Sequence, residues 1–150
     1  FFTFNSFWIC FIIIFFKKMI NNEIIKIASN TTNVGLTNNY TYKCSLKNIM
    51  CGDKIKIELI SKKSKINSMK YETESCIYCE ASASLLSNKI KNLTLKNVKK
   101  DLNLLKNILN NKNLIFPNKF KEFNKLINKK NFSRINCINL PLDAVLKAIR

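Results

Sequence analysis

Apolar and polar positions alternate with a period that changes twice along the chain. Ile20, Glu23, Ile24, Ile27 and Ala28 recur at helical spacing, so residues 19–29 read as a short amphipathic helix. A polar connection over 30–39 follows, holding Gly35. The period then becomes two. Tyr42, Cys44 and Leu46 share one face of a first strand; Ile55, Ile57 and Leu59 alternate with Lys54, Lys56 and Glu58 in a second; Met69, Tyr71 and Thr73 alternate with Lys70 and Glu72 in a third. Residues 61–65 read as a turn-rich link, and short links between successive strands favour an antiparallel meander.

Helical spacing returns in the second half. Residues 80–91 carry small side chains and then Leu85, Leu86 and Ile90; residues 93–109 repeat Leu, Val and Ile at steps of three and four; residues 117–127 continue with Phe120, Phe123 and Leu126. For the last helix, Asn139 is expected as N-cap and Pro141 in the first turn, with Leu142, Val145, Leu146 and Ile149 as one stripe. Strands followed by helices predict an α+β domain, a small three-stranded antiparallel sheet with helices packed on one face.

A chain of 150 residues supports one domain with a real core. Hydrophobic residues make up 47%, with only two Gly and two Pro, which excludes collagen-like, linker and disordered classes. Histidine is absent, and imidazole bases, nucleophiles and ligands are excluded with it. The net charge of +17 invites a nucleic-acid reading, yet only Arg134 and Arg150 are arginines and the lysines are scattered. The basicity is attributed to AT-rich codon usage, so no nucleic-acid partner is expected; a basic nucleic-acid module is the least favoured function.

The apolar residues 1–16 are short for a spanning helix and contain Asn5 and Ser6. Lys17 and Lys18 follow the apolar run, where an export signal has its charge in front. Residues 1–18 are therefore expected to be a leader outside the native fold, with the domain over 19–150 and Met19 as start. No membrane partner is expected unless that leader is native, and a cytoplasmic location is expected.

Chemistry rests on six cysteines. Cys10 lies in the leader and Cys44 on an apolar strand face, both read as packing residues. Cys51 and Asp53 share the parity of Ile55, Ile57 and Leu59 and are expected at the rim of the buried face. Cys76 precedes the helix expected over 80–91, and Cys137 lies just before the expected Asn139 cap. Helix N-termini favour thiolate. Cys51, Asp53, Cys76 and Cys137 form a candidate four-donor site for zinc or iron, three soft thiolates and one more exchangeable carboxylate. Scattered structural cysteines are the standing alternative on spacing alone.

Met50-Cys51-Gly52-Asp53, then Cys76-Ile77-Tyr78-Cys79-Glu80-Ala81-Ser82-Ala83-Ser84, then Arg134-Ile135-Asn136-Cys137 with Leu140-Pro141 behind, resemble the three cysteine signatures of the U-type iron–sulfur cluster scaffolds, namely the NifU N-terminal domain, IscU and SufU. The Ala-Ser-Ala-Ser run and the Arg-x-x-Cys are similar to SufU-like members in particular. The resemblance implies a transient [2Fe-2S] cluster on Cys51, Asp53, Cys76 and Cys137, iron or zinc as the bound metal, sulfur from a cysteine desulfurase, and delivery to apo-proteins or carriers. It implies Cys137 or Cys51 as persulfide acceptor, no enzyme activity beyond sulfur transfer, and compatibility with a dimer. The alternative function is a zinc-bound sulfurtransferase relaying persulfide. Cys79 stands where the family has a small residue; it is an extra thiol, an auxiliary or resolving group by one reading and a packing residue by the other. Ser75 replaces a glycine of the pattern. Asn136 replaces the histidine of IscU, which leaves Asp53 as fourth donor. Residues 131–134 lack the IscU chaperone segment. Arg134 is read as an anion holder, an orienting group or a surface ion-pair partner.

Overall fold

The computed structural model describes residues 22–150, so the expected leader, Cys10, Met19 and Ile20 lie outside the described residues. The order of elements is helix α1 (Asn22–Ala28), strands β1 (Tyr42–Lys47), β2 (Lys54–Lys62) and β3 (Lys65–Glu74), helices α2 (Ile77–Lys89) and α3 (Leu95–Asn110), 3₁₀ segments Asn118–Lys125 and Phe132–Arg134, and helix α4 (Ile135–Ala148). The strands form one antiparallel sheet in the order β1-β2-β3. The expected α+β architecture is thus present.

Period-two alternation builds the sheet as expected. Ile57 lies opposite Cys44 on one side and Tyr71 on the other, and Leu59 lies opposite Met69, so the apolar face is continuous across three strands. Ile55, Ile57, Leu59, Met69 and Tyr71 are buried. The link expected over 61–65 is tighter than that: β2 and β3 run to Lys62 and from Lys65, joined by Lys63 and Ser64 at φ 50° and 60°. Two consecutive left-handed residues make the type I′ turn whose twist matches the strands.

Glu58 departs from the pattern. It lies on the face turned away from the core, as the alternation requires, but it is buried beneath residues 37 and 38. Its carboxylate accepts hydrogen bonds from the Thr37 N–H (2.8 Å), the Thr37 hydroxyl (3.2 Å) and the Asn38 N–H (3.1 Å). The same loop lines the outer edge of β3. Val34 bridges Tyr71 in parallel, the Gly35 N–H donates to the Tyr71 carbonyl (2.9 Å), and the Tyr71 N–H donates to the Asn33 carbonyl (3.1 Å).

Helix α2 runs through the centre, touching α1, α4, β3 and the first 3₁₀ segment. Its small side chains explain how: Ala81, Ser82, Ala83 and Ser84 are all buried and let neighbours approach on every side. The Ser82 hydroxyl donates to the Ile138 carbonyl of α4 at 2.7 Å, which satisfies a buried polar pair. Helix α3 begins at the N-cap Thr94, whose side chain accepts from the Asn97 N–H, and buries Val98, Leu102, Leu105 and Leu109 at helical spacing.

Three helical expectations are corrected. Helix α2 starts at Ile77, not Glu80, because Cys76 is its N-cap. Residues 118–125 form a 3₁₀ helix; Phe120 and Phe123, three apart, stack edge to face on the core with ring centres 6.0 Å apart, a spacing that suits three residues per turn. The last helix starts at Ile135, so Asn139 is not its cap and Pro141 lies inside it. The local signals of Asn and Pro are outweighed by burial of Ile138, Leu140 and Leu142, and the Asn139 amide instead donates to Asn110 Oδ1 at 2.9 Å. Pro141 has no N–H to offer the carbonyl one turn back, that of Cys137.

Candidate metal and cluster site

The site forms where the β1–β2 loop, the start of α2 and the start of α4 meet. In the loop the Asn48 N–H donates to the Asp53 carbonyl, the Gly52 N–H to the Asn48 carbonyl (both 2.8 Å) and the Met50 N–H to Asn48 Oδ1 (3.0 Å). Gly52 has φ +78°, a left-handed conformation that an L side chain adopts only at a cost. This turn separates two residues that parity had placed together. Asp53 is buried with the apolar face, whereas Cys51 is exposed on the loop.

The turn brings the donors together. One ligand atom each from Cys51, Asp53 and Cys137 lies within 4.8 Å of the others, and the Cys51 and Cys137 sulfurs are 3.9 Å apart. Cys76 is not within that limit of all three, but its thiol interacts with both Asp53 and Cys137. Its backbone N–H donates to Asp53 Oδ1 at 3.0 Å, fixing the start of α2 against the loop. No hydrogen bond reaches Asp53 Oδ2, a buried carboxylate oxygen facing thiols. Such an atom is costly unless a cation or proton donor meets it, so the donor set fits a metal ion at its centre.

Burial works to raise the Asp53 pKa, and the Cys51 thiol, the Cys76 N–H, and the Cys137 and Cys76 thiols outweigh it, so the carboxyl is held below its usual range. Cys137 corrects the expectation of an acidified thiol. It sits within the first turn of α4, not before a cap, and is buried; burial first, then the Cys76 and Asp53 side chains, push its pKa up. A coordinated cation inverts this balance, since a ligating thiol is deprotonated outright.

Cys79 is fully buried on α2 and stands outside the group of three; burial pushes its thiol up to about 12. Cys44 is half-buried and packs against the core. Arg134 lies over the Tyr78 ring at 5.8 Å, which ties the segment before Cys137 to the first turn of α2. Two contacts had no sequence signal. The Asn136 amide reaches Met50 Sδ at 4.0 Å across the site, and Ser82 steadies the carbonyl beside Cys137, though in the sequence it was one member of a small-residue run.

The family model of the NifU-like N terminal domain matches residues 19–114, most of the chain and two of the three cysteine signatures. The chain belongs to the NifU-like N-terminal domain family. Membership of this family supports a role as an iron–sulfur cluster assembly scaffold. The fold agrees with two crystal structures. The N-terminal NifU-like protein of Brucella abortus superposes with a TM-score of 0.77 at 18% identity, over 87% of this chain and 91% of that one. A putative iron–sulfur cluster assembly scaffold protein for the SUF system from Fervidobacterium islandicum AW-1 gives 0.75 at 21% identity, over 87% and 96%. Comparison with curated proteins found no match. No helix among the described residues of this NifU-like domain is long and apolar enough to cross a membrane.

Proposed function

We propose that this NifU-like domain assembles a [2Fe-2S] cluster on Cys51, Asp53, Cys76 and Cys137 and passes it to apo-proteins or carrier proteins. The observation that carries this reading is the convergence of the Cys51, Asp53 and Cys137 donor atoms within 4.8 Å, beside Cys76. Sulfur comes from the persulfide of a cysteine desulfurase. A thiolate here attacks the outer sulfur, the donor's S–S bond breaks, and its electron pair returns to the donor cysteine. The exposure of Cys51 favours it as first acceptor, with Cys137 behind it at 3.9 Å as the next. Three thiolates hold iron firmly, while a carboxylate is the more exchangeable donor, which suits a cluster that is cargo. A cytoplasmic setting and a domain over residues 19–150 belong to the same reading.

Anaerobic reconstitution with iron and sulfide, followed by iron and acid-labile sulfide analysis and transfer to an apo-ferredoxin, tests it. Equal iron and sulfide that move to the acceptor are expected. Zinc alone in the isolated protein, with persulfide accepted and no cluster formed, would establish the sulfurtransferase alternative, which the same four donors also suit.

A further inference from the structure

We propose that Cys79 is a resolving thiol that attacks Cys76 once Cys76 carries a sulfane sulfur, closing a Cys76–Cys79 disulfide and releasing sulfide into the cluster site. This rests on the sulfur-acceptor reading above and supplies what that reading lacks, the two electrons needed to turn each sulfane sulfur into sulfide.

The placement of the two residues carries it. Cys76 is the N-cap of α2, with φ −72° and ψ 162°, and Cys79 is the third residue of the helix. A hydrogen-bonded turn of four residues brings its first and last Cα atoms within about 7 Å, the separation that a disulfide can span. The Cys79 N–H donates to the Cys76 carbonyl at 3.1 Å, which fixes that turn. Cys76 makes no side-chain cap bond, and both cysteines are free. The Cys79 thiol interacts with Ser75, Asp53 and Cys76 while being fully buried. A thiol so placed is closed to reagents from solvent, and Cys76 is the one thiol among those three groups, so its effective concentration toward Cys76 is high. Cys76 is half-buried and adjoins the Cys137 thiol, from which sulfane sulfur arrives by exchange without net redox change.

The step balances. Cys79 attacks the inner sulfur of the Cys76 persulfide, the one nearest to it. A bond forms between the two cysteine sulfurs and the inner-to-outer sulfur bond breaks. Its electron pair leaves with the outer sulfur, which departs with the Cys79 proton as hydrogen sulfide. The sulfane sulfur is reduced and the thiol pair is oxidised to a disulfide. An external dithiol of the thioredoxin class reopens the pair and frees Cys76 as a ligand.

The experiment uses the full chain, reduced and metal-free, treated with glutathione persulfide and desalted. Sulfide released without added reductant is measured, and disulfides are mapped by mass spectrometry. The expected result is about one sulfide per chain together with a Cys76–Cys79 crosslink, and at least a roughly tenfold lower release from Cys79→Ala and Cys79→Ser, which retain the persulfide until a thiol is added. Equal release from these variants, or a wild-type disulfide joining Cys51 and Cys137 instead, would overturn the proposal. The wild-type disulfide map decides even if both variants misfold. Normal cluster formation from iron and free sulfide alongside unchanged release sinks the resolving role alone; failure of the wild type to take up either sulfane sulfur or a cluster sinks the scaffold reading with it.

Discussion

The two ends of the three-stranded sheet are built on opposite plans. At the β2–β3 hairpin the backbone is saturated: the Ile66 N–H donates to the Leu93 carbonyl, the Asn92 N–H to the Ile66 carbonyl and the Leu95 N–H to the Ser64 carbonyl, and Lys65 bridges Thr94. At the β1–β2 end the loop satisfies itself through Asn48 and leaves Ile49, Met50 and Cys51 facing solvent, with Ile49 92% exposed. Asp53 Oδ2 is left without a partner there. Both ends use left-handed residues, Lys63 and Ser64 at one and Gly52 at the other. One end spends its hydrogen bonds on joining elements; the other holds donors in reserve for a ligand.

That contrast can be broken hardest at the thiols. Cys51→Ser, Cys76→Ser and Cys137→Ser should each abolish cluster assembly, read as loss of iron and acid-labile sulfide after reconstitution, because a hydroxyl is a poor replacement for soft thiolate. Retention of a full cluster by any of the three would remove that residue from the site.

Asp53→Ala should be milder and of a different kind. Three thiols remain, so the cluster still assembles, but transfer to an apo-acceptor slows several-fold or more as the exchangeable donor is lost. The Cys76 N–H also loses its acceptor. Normal cluster content with unchanged transfer would leave the carboxylate as a cap for the start of α2.

The left-handed turns give a paired stability test. No atom lies within 4 Å of a Cβ built at Gly52, so Gly52→Ala should cost only the backbone conformation, about 1–2 kcal/mol in chemical denaturation. At the sealed end Ser64→Gly should do the reverse, gaining about 0.5–1 kcal/mol once the greater freedom of the unfolded chain is offset. Effects of the same sign would show that one of the two positions is not held in the left-handed conformation.

The smallest effect concerns acid. The Asp53 pKa is lowered in the fold from 3.8, so its ionised form contributes stability that is present above about pH 4 and lost as pH falls toward the folded value. Asp53→Asn should flatten the stability curve of the metal-free protein below about pH 4, measured by thermal melts, and leave the curve near pH 7 parallel to wild type.

The sheet was legible because each strand has a core face, and Ile55, Ile57 and Leu59 or Met69 and Tyr71 announce it every second residue. The donors were legible as residues, since Cys51, Asp53, Cys76 and Cys137 stand at the ends of periodic segments. Their depths were not. Cys51 and Asp53 have the same parity, and only the turn at Gly52 sends one outward and the other inward. The start of α4 was misread because Asn139 and Pro141 carry strong local signals, while the burial that extends the helix back to Ile135 comes from α2 and the sheet. Cys79 looked like a neighbour of Cys76 in sequence; that it lies wholly inside depends on the packing around α2.

The clamp on Glu58 bears on solubility. A sheet edge offers unpaired backbone groups to any other extended chain, and a sequence rich in Ile, Phe and Asn has much to pair with. Residues 33–35 occupy the β3 edge, and the loop that carries them is pinned by Glu58 through Thr37 and Asn38, by Glu72 through the Leu36 N–H, and by Lys70 through the Thr32 carbonyl. Lys43 and Lys47 stand on β1, where charge discourages strand addition. Releasing the loop with Glu58→Ala should therefore appear first as concentration-dependent aggregation, detected by light scattering, in a protein whose cysteines are untouched.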